Sequence, residues 1–371
     1  QSPMFMHINP NKYYMALDLH IDMGQQIFKE LAAKADIIEF NLRPGVTRRW
    51  NIGYEQIKEV NPGIIYIEKN GFGQWGLYAE QDRPSNDGAS QALSGYAWMS
   101  SFPNRPPLKQ AIWICDYYGG LMGEVAVLAA LHHRRKTGRG QFIEMSQTEN
   151  IMRVMNWVWP YQQLTGKGVE AAGNRDQCIC PADTFLCADD RLAALAAPAP
   201  EEFLGLCRAM GREELASDPR FQEHSVRLQD ENTLEILKII AAWARTKTAD
   251  EIEALGKEFG FSATRLHNAK DMNEDPHRRQ RGFVKEIDDP LYGYYVEHEF
   301  PVMMSKTPPK IKWTVRPVGF DNEFIMAKIL GRNQAQIDEL YLHGVLGKWK
   351  DMQGRRPPSD WDGQAGAIIR R

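Results

Sequence analysis

Net charge is what this chain has least of. Over 371 residues, 45 lysines and arginines stand against 48 aspartates and glutamates, a formal charge of -3. That balance leaves no basic footprint for nucleic acid. The one dense cationic run, His132-His133-Arg134-Arg135-Lys136, falls at the end of a helical pattern, where cations complement the helix dipole. Cysteine is also scarce. The five present, Cys115, Cys178, Cys180, Cys187 and Cys207, are odd in number, and a chain of this length builds its core without disulfides. Such usage fits a reducing cytoplasm. Cys178-x-Cys180 with Cys187 has no histidine within ligand spacing, and Cys187 lies in a strand-like run, so no metal is expected. No apolar segment approaches the ~20 residues needed to cross a bilayer, and nothing resembles a signal peptide. These absences exclude a nucleic-acid binder, a disulfide scaffold and a membrane protein.

What remains, at 43% hydrophobic and 25% charged residues, is an ordinary globular protein long enough for two domains. The chain opens on Gln1 and runs almost directly into a strand-like Tyr14-Met15-Ala16-Leu17-Asp18-Leu19, as if beginning in mid-fold. Asp22 reads as the cap of a helix whose apolar face is Ile27 and Leu31. A strand at 37–40, a helix at 54–60 stopped by Asn61-Pro62-Gly63, and a strand at 64–67 follow. A long helix at about 117–136, ended by Gly138, precedes a strand at 142–145. Strands alternating with helices through short connections predict a parallel sheet covered by helices. The pattern changes near Thr165-Gly166-Lys167-Gly168. A hairpin (184–188 and 192–197), helices at 200–210 and 233–246, and a strand-rich stretch at 282–304 predict a smaller α+β domain. Helices at 322–330 and 335–342 return to the first domain, and the polar tail after Lys348 reads as extended. The expected division is 1–180 for the large domain, 181–305 for the small one, and 306–371 returning to the first.

Asp116 is the most suggestive position. In Trp113-Ile114-Cys115-Asp116-Tyr117-Tyr118-Gly119-Gly120 a carboxylate follows an apolar run and opens a long helix. By itself it reads first as an N-cap; a nucleophile is compatible with that, because a helix N-terminus favours the ionised form. Asp87, in Arg83-Pro84-Ser85-Asn86-Asp87-Gly88, reads by itself as a loop-to-helix cap. Asn41-Leu42-Arg43-Pro44-Gly45 with Arg48 and Arg49 follows a strand, where open α/β sheets bind ligands; the arginines suit phosphate or form a charged loop. Gly71-Phe72-Gly73 is too short for a phosphate fingerprint and reads as a tight turn.

Six segments occur in a telling order: Leu17-Asp18-Leu19 after Asn11-Lys12, Asn41 to Gly45, Gly71-Phe72-Gly73-Gln74, Gln91-Ala92-Leu93-Ser94-Gly95, Asp116 to Gly120, and Lys136-Thr137-Gly138-Arg139-Gly140-Gln141. Singly they are weak; in register they are specific. The string, from about Asn9 to Leu342, resembles the class III CoA-transferases, a group that includes formyl-CoA, carnitine and bile-acid CoA-transferases and the α-methylacyl-CoA racemases. The resemblance implies a Rossmann-like large domain plus a small domain, two such subunits interlocking as a dimer. It implies acyl-CoA and a free carboxylic acid as substrates, Asp116 as the covalent carboxylate, and Asp87 as a second active-site acid. CoA contacts are implied at Leu17, His20, Asn41, Leu42, Arg49 and a basic residue near Arg83. Trp113, Tyr117 and Tyr118 are expected to keep the nucleophile dry.

The chain departs from that pattern in places. Family members usually carry a further βαβ unit before the equivalent of Asn9, and often a lysine where His20 stands. Gly173-Asn174-Arg175 occupies the region of the Gly-rich loop of formyl-CoA transferase, which argues against oxalate as acceptor. The racemase branch places a histidine base immediately before the acid at Asp87; here the residue is Asn86, which cannot shuttle a proton. CoA transfer is therefore expected over racemisation, with a homodimer or a heterodimer of related chains both open. The ten tryptophans, Trp113, Trp157 and Trp159 among them, point to a bulky or aromatic acceptor such as a benzylsuccinate-type acid, although aromatics more often serve a core.

Overall fold

The strand Ile65–Asn70 is buried along its first four residues, and the architecture around it follows from that burial. Here and below, the computed structural model describes residues 2–348 and 368–370. A strand buried on both faces reads as a near-continuous apolar run, and Ile64-Ile65-Tyr66-Ile67 is one. The chain forms two compact units: Gln1–Ser90, Cys115–Asn150 and Ala269–Arg371 make the first, and Gln91–Ile114 with Ile151–Asn268 the second.

In the first unit α1 (Asp22–Ala32) leads to β1 (Ile37–Phe40), α2 (Val46–Arg49) and α3 (Tyr54–Val60). Next come β2 (Ile65–Asn70), α4 (Asp87–Leu93), α5 (Ile114–Thr137), β3 (Gln141–Ser146) and α6 (Gln147–Val154). The three strands form a parallel sheet in the order β1-β2-β3, as the alternation predicted. One face buries Ile38 and Tyr66 with Ala32, Ile52 and Ile57 from the helical side, and the Tyr66 hydroxyl donates to the Ile52 carbonyl at 2.8 Å. The opposite face carries α5: a Cβ on Gly123 would rest 3.4 Å from Ile67 and 3.7 Å from Met145. Glycine there lets the helix backbone lie close to the sheet.

α5 is longer than the sequence indicated. At 24 residues, with a mean hydropathy of 1.3 over its best window, it is long and apolar enough to cross a bilayer by length and composition. Counting uninterrupted apolar residues missed this because Glu124 and three glycines break the run. A helix that covers a sheet passes the same test.

In the second unit β4 (Ala182–Leu186), β5 (Leu192–Ala196) and, after α7 (Pro200–Ala209), α8 (Asp230–Ala244) and α9 (Ala249–Phe259), β6 (Ser262–Arg265) form an antiparallel sheet. The expected hairpin is the β4–β5 pair. Phe185, Phe203, Leu206, Phe221, Ile236 and Ile240 are central to one apolar core. Thr248 and Glu251 close a reciprocal capping box on α9. Inside this unit Arg227 is fully buried. Its guanidinium donates to the carbonyls of Cys180 (3.1 Å), Phe221 (2.6 Å), Gln222 (3.3 Å) and Pro198 (2.6 Å) and lies 4.2 Å from the Phe203 ring centroid.

Back in the first unit, β7 (Val284–Asp289) pairs antiparallel with β8 (Gly293–His298) and β9 (Ile368–Arg370). α10 (Gln334–Leu342) packs Ile337 and Leu340 beside Ile27 of α1. Some expectations are corrected. Residues 14–19 form no strand, only a single bridge, Leu17 to Leu346, because their partner segment is a short irregular stretch. Asp22 is the first residue of α1, with Ile21 at the cap position and no side-chain cap. The helix at 322–330 widens after Phe324 into a π-turn, Ile325–Ile329. The extended tail lies outside the described residues apart from 368–370.

The Arg227 clamp gives a stability prediction. A lysine cannot reproduce the forked geometry, so Arg227→Lys leaves buried carbonyls without donors and should cost roughly 2–4 kcal/mol. Hydrogen exchange should show lost protection across β5 and α8 while β1–β3 stay unchanged. Unchanged protection in β5 and α8 would contradict the clamp.

Candidate active site

The carboxyl edge of the parallel sheet is tied down at three points. After β2, Asn70 Oδ1 accepts from the amides of Phe72 (3.0 Å) and Gly73 (2.7 Å) and folds the chain back at once. Gly73 holds φ at +89°, and a side chain there would collide with Glu144 Oε1, which accepts from the Gln74 amide at 2.6 Å. The Gly71 carbonyl accepts from Thr148 N (3.2 Å), Thr148 Oγ1 (2.7 Å) and Ser146 Oγ (3.2 Å), locking the turn to the end of β3. The Gly71-Phe72-Gly73 turn is thus real, and its Phe72 and Gly73 line a small cleft at this edge.

The capping at Asp116 differs from the sequence reading. Asn86, not Asp87, caps α4: its Oδ1 accepts from the Ala89 amide at 3.0 Å. Asp87, only 2% exposed, reaches across to α5, where its Oδ1 accepts from Cys115 N (2.8 Å) and Asp116 N (3.4 Å). The cap of α5 is therefore a carboxylate from another helix, and Asp116 is released from that duty. Asp116 Oδ1 instead accepts from Gln147 Nε2 at 2.6 Å, and Oδ2 has no hydrogen-bond partner among the described residues. Burial of its surroundings raises the Asp116 pKa, the Gln147 hydrogen bond lowers it, Asp87 raises it and Lys69 lowers it. The side chain itself is exposed, so solvent screens these influences. Burial, with Asp87 and Asp116 adding, pushes the Cys115 thiol up to about 12. The dry surroundings expected from the aromatic residues are not formed in the single chain: Trp113 and Tyr117 are 43% and 42% exposed.

The residues expected to meet CoA fall in separate places on the first unit. Asn41 and Arg83 line one small cleft together with Arg43, Asn70, Phe72 and Ser85. The Arg83 guanidinium lies over the Phe72 ring at 5.2 Å and the Tyr78 ring at 4.7 Å. Asn70 Nδ2 in this cleft is buried and has no hydrogen-bond partner among the described residues, a donor suited to a polar ligand. Arg49 stands exposed at the end of α2, with no acid beside it among the described residues. α2 is anchored from below, where Thr47 Oγ1 donates to the buried Glu68 Oε1 at 2.5 Å. His20 packs edge-on to Trp50 with ring centroids 5.0 Å apart, and its Nδ1 lies 2.9 Å from Asp18 Oδ1. Leu17 bridges to Leu346, and Leu42 is half-buried outside the Asn41 cleft. Gln147 and Lys69 were not singled out from sequence; the signal for both is their place at the carboxyl end of a strand.

A model of CoA-transferase family III matches residues 1–322. The chain is 33% identical over 336 residues to succinyl-CoA–D-citramalate CoA-transferase of Chloroflexus aurantiacus, covering 91% of this chain and 83% of that protein. It is 30% identical over 339 residues to the beta subunit of succinyl-CoA–L-malate CoA-transferase of the same organism, again covering 91% and 83%. Among solved structures, a CAIB/BAIF family protein from Brucella suis superposes with a TM-score of 0.77 at 26% identity, covering 89% and 84% of the two chains.

Removal of the Asp87 cap tests this geometry directly. Loss of a capping side chain costs about 0.5–2 kcal/mol. Asp87→Ala should therefore speed hydrogen exchange of the Cys115 and Asp116 amides by roughly 2- to 30-fold, while Ala89, capped by Asn86, keeps its rate. Equal acceleration at Ala89 would mean general loosening instead.

Proposed function

This chain belongs to CoA-transferase family III, and we propose that Asp116 is the carboxylate that carries first the acyl group and then CoA. One observation carries this reading: Asp116 has one oxygen fixed by Gln147 and the other free, at a helix start held by a different acid. The free oxygen attacks the thioester carbonyl of the donor, the C–S bond breaks, and CoA leaves as thiolate from a mixed anhydride. The thiolate attacks the Asp116 carbonyl carbon, expelling the donor acid as carboxylate and leaving an aspartyl thioester. The acceptor carboxylate then attacks that carbon, and the sequence runs in reverse to give the new acyl-CoA and free Asp116. No net proton is taken up. Asp87 contributes twice, as the cap that aims α5 and as a neighbouring charge that makes Asp116 more basic.

CoA phosphates are assigned to Arg49, the exposed cation at the end of the helix that Glu68 anchors, and to Arg83 and Asn41, which share a separate cleft. His20, held by Asp18, adds a weaker contact, and Leu17 and Leu42 offer apolar atoms to the adenine. A bulky or aromatic acceptor, such as a benzylsuccinate-type acid, is the first reading, resting on the ten tryptophans of the chain. The similar proteins, named for succinyl-CoA with citramalate or malate, support a second reading, a short dicarboxylic acid; turnover with a panel of both kinds decides between them. Racemisation is disfavoured because the Asn86 side-chain amide caps α4 and is too weak a base to take a proton from the substrate carbon. We place the reaction in the cytoplasm, between two subunits, alike or related, that interlock and exclude water from Asp116. A solution mass of one chain under assay conditions would remove that part.

Two substitutions test the assignments. Asp116→Asn should lower turnover by at least about 100-fold while CoA still binds, since the covalent route is lost. Wild-type protein mixed with acyl-CoA and hydroxylamine should yield a mass adduct at Asp116 and the mutant none. Arg49→Ala should raise KM for every acyl-CoA donor by roughly tenfold, the worth of one charge-assisted contact, and leave KM for the free acid unchanged. An unaltered donor KM would reduce that loop to a charged surface turn.

A further inference from the structure

β2 carries opposite charges on its two faces at the carboxyl end. Glu68 points toward α2, where it accepts from Thr47. Alternation along a strand then turns Lys69 toward the α5 face, with Ile67 two residues before it. The register agrees: Lys69 pairs with Met145, and Met145 and Ile67 are the two side chains that Gly123 of α5 approaches. Asp116 lies two turns nearer the helix start than Gly123, and Lys69 lies two residues nearer the strand end than Ile67. The lysine therefore sits on the sheet under the first turn of α5. It does not reach up to bond the aspartate. Lys69 Nζ lies 2.5 Å from Glu39 Oε1 on the neighbouring strand, and the lysine side chain is only 18% exposed.

We propose that Lys69, tethered by Glu39, is a positioning residue that holds the Asp116 carboxylate charged through space while leaving its attacking oxygen uncapped. This rests on the nucleophile assignment above. A lysine bonded directly to Asp116 would also favour the anion, but it would occupy the lone pairs needed for attack and would have to be displaced. Glu39 prevents that by binding the ammonium first. The groups acting on Asp116 are Asp87 from α4, Lys69 from β2 with its Glu39 partner from β1, the neutral Gln147 from α6, and Cys115 on α5 itself. Cys115 stays an uncharged thiol. Lys69 is thus the cation that offsets both the Asp87 charge and the partial burial of the site, in agreement with the direction of its effect on Asp116.

The test reads the aspartate and the reaction separately. Protein carrying carboxyl-13C aspartate is titrated by NMR, with the Asp116 signal identified by its loss in Asp116→Asn. Lys69→Met, whose side chain suits a face already holding Met145, should raise the Asp116 midpoint. It should also move the acidic limb of the turnover profile to higher pH, with a several-fold loss of turnover below the midpoint. Lys69→Arg should restore both. Glu39→Gln should free the lysine to pair with Asp116, lowering the midpoint and also lowering turnover at every pH. A Lys69→Met midpoint equal to wild type overturns the proposal. A raised midpoint in a protein that transfers CoA between no pair of acids would uphold the electrostatic role and reject the transferase step.

Discussion

Two backbone amides, those of Cys115 and Asp116, share one oxygen of Asp87, and the chemistry proposed for Asp116 depends on that arrangement. The first amides of any helix need acceptors, and a side chain in the first turn is the usual supplier. If Asp116 served, its oxygens would face its own backbone. Because a buried acid from α4 serves instead, Asp116 is free to be oriented by Gln147 and to face outward. α4 can spare Asp87 because Asn86 has taken over its own cap. The three residues Asn86, Asp87 and Asp116 thus pass one structural obligation along, and the last of them is left without a capping duty.

The sheet makes this transfer possible by fixing where the helices begin. β1, β2 and β3 end at the same edge, and each is followed directly by a part of the site: Asn41, the Gly71 turn and Gln147. The Gly71 carbonyl, bonded to Thr148 and Ser146, stops the β2 turn from drifting relative to α6. On the far side of β2 the Thr47–Glu68 contact does the same for α2. The charged end of β2 therefore serves both faces of the sheet, Glu68 for the proposed CoA loop and Lys69 for the proposed nucleophile.

Strand β2 was legible in the sequence because burial on both faces leaves an apolar run, and Asn61-Pro62-Gly63 marks its boundary plainly; β1 and β3, each partly exposed, were legible as short runs set between helical segments. The β4–β5 hairpin was legible for its Asp189-Asp190 turn. The identity of the caps was not. Asp87 and Cys115 are 28 residues apart, and no local pattern connects an acid at one helix start to amides at another. The strand expected at 14–19 failed for a related reason: its apolar run is genuine, but Leu346 offers a single bridge, and a strand requires a partner of matching length. Gln147 and Lys69 escaped notice because a glutamine after a strand and a lysine at its end look like ordinary solvated residues. Only the sheet register places them under Asp116.

Arg227 has a consequence for how the second unit comes apart. A buried carboxylate can shed its charge by taking a proton, and a site held by one softens by degrees as acidity rises. A guanidinium has no such alternative in any ordinary solvent, and neither do the four carbonyls that surround it. Those carbonyls come from residues 180, 198, 221 and 222, so releasing one segment strands the same charge for all the others. The lock has no half-open position. The second unit should accordingly melt as a single cooperative block, with β4, α7 and the segment before α8 entering and leaving the folded state together.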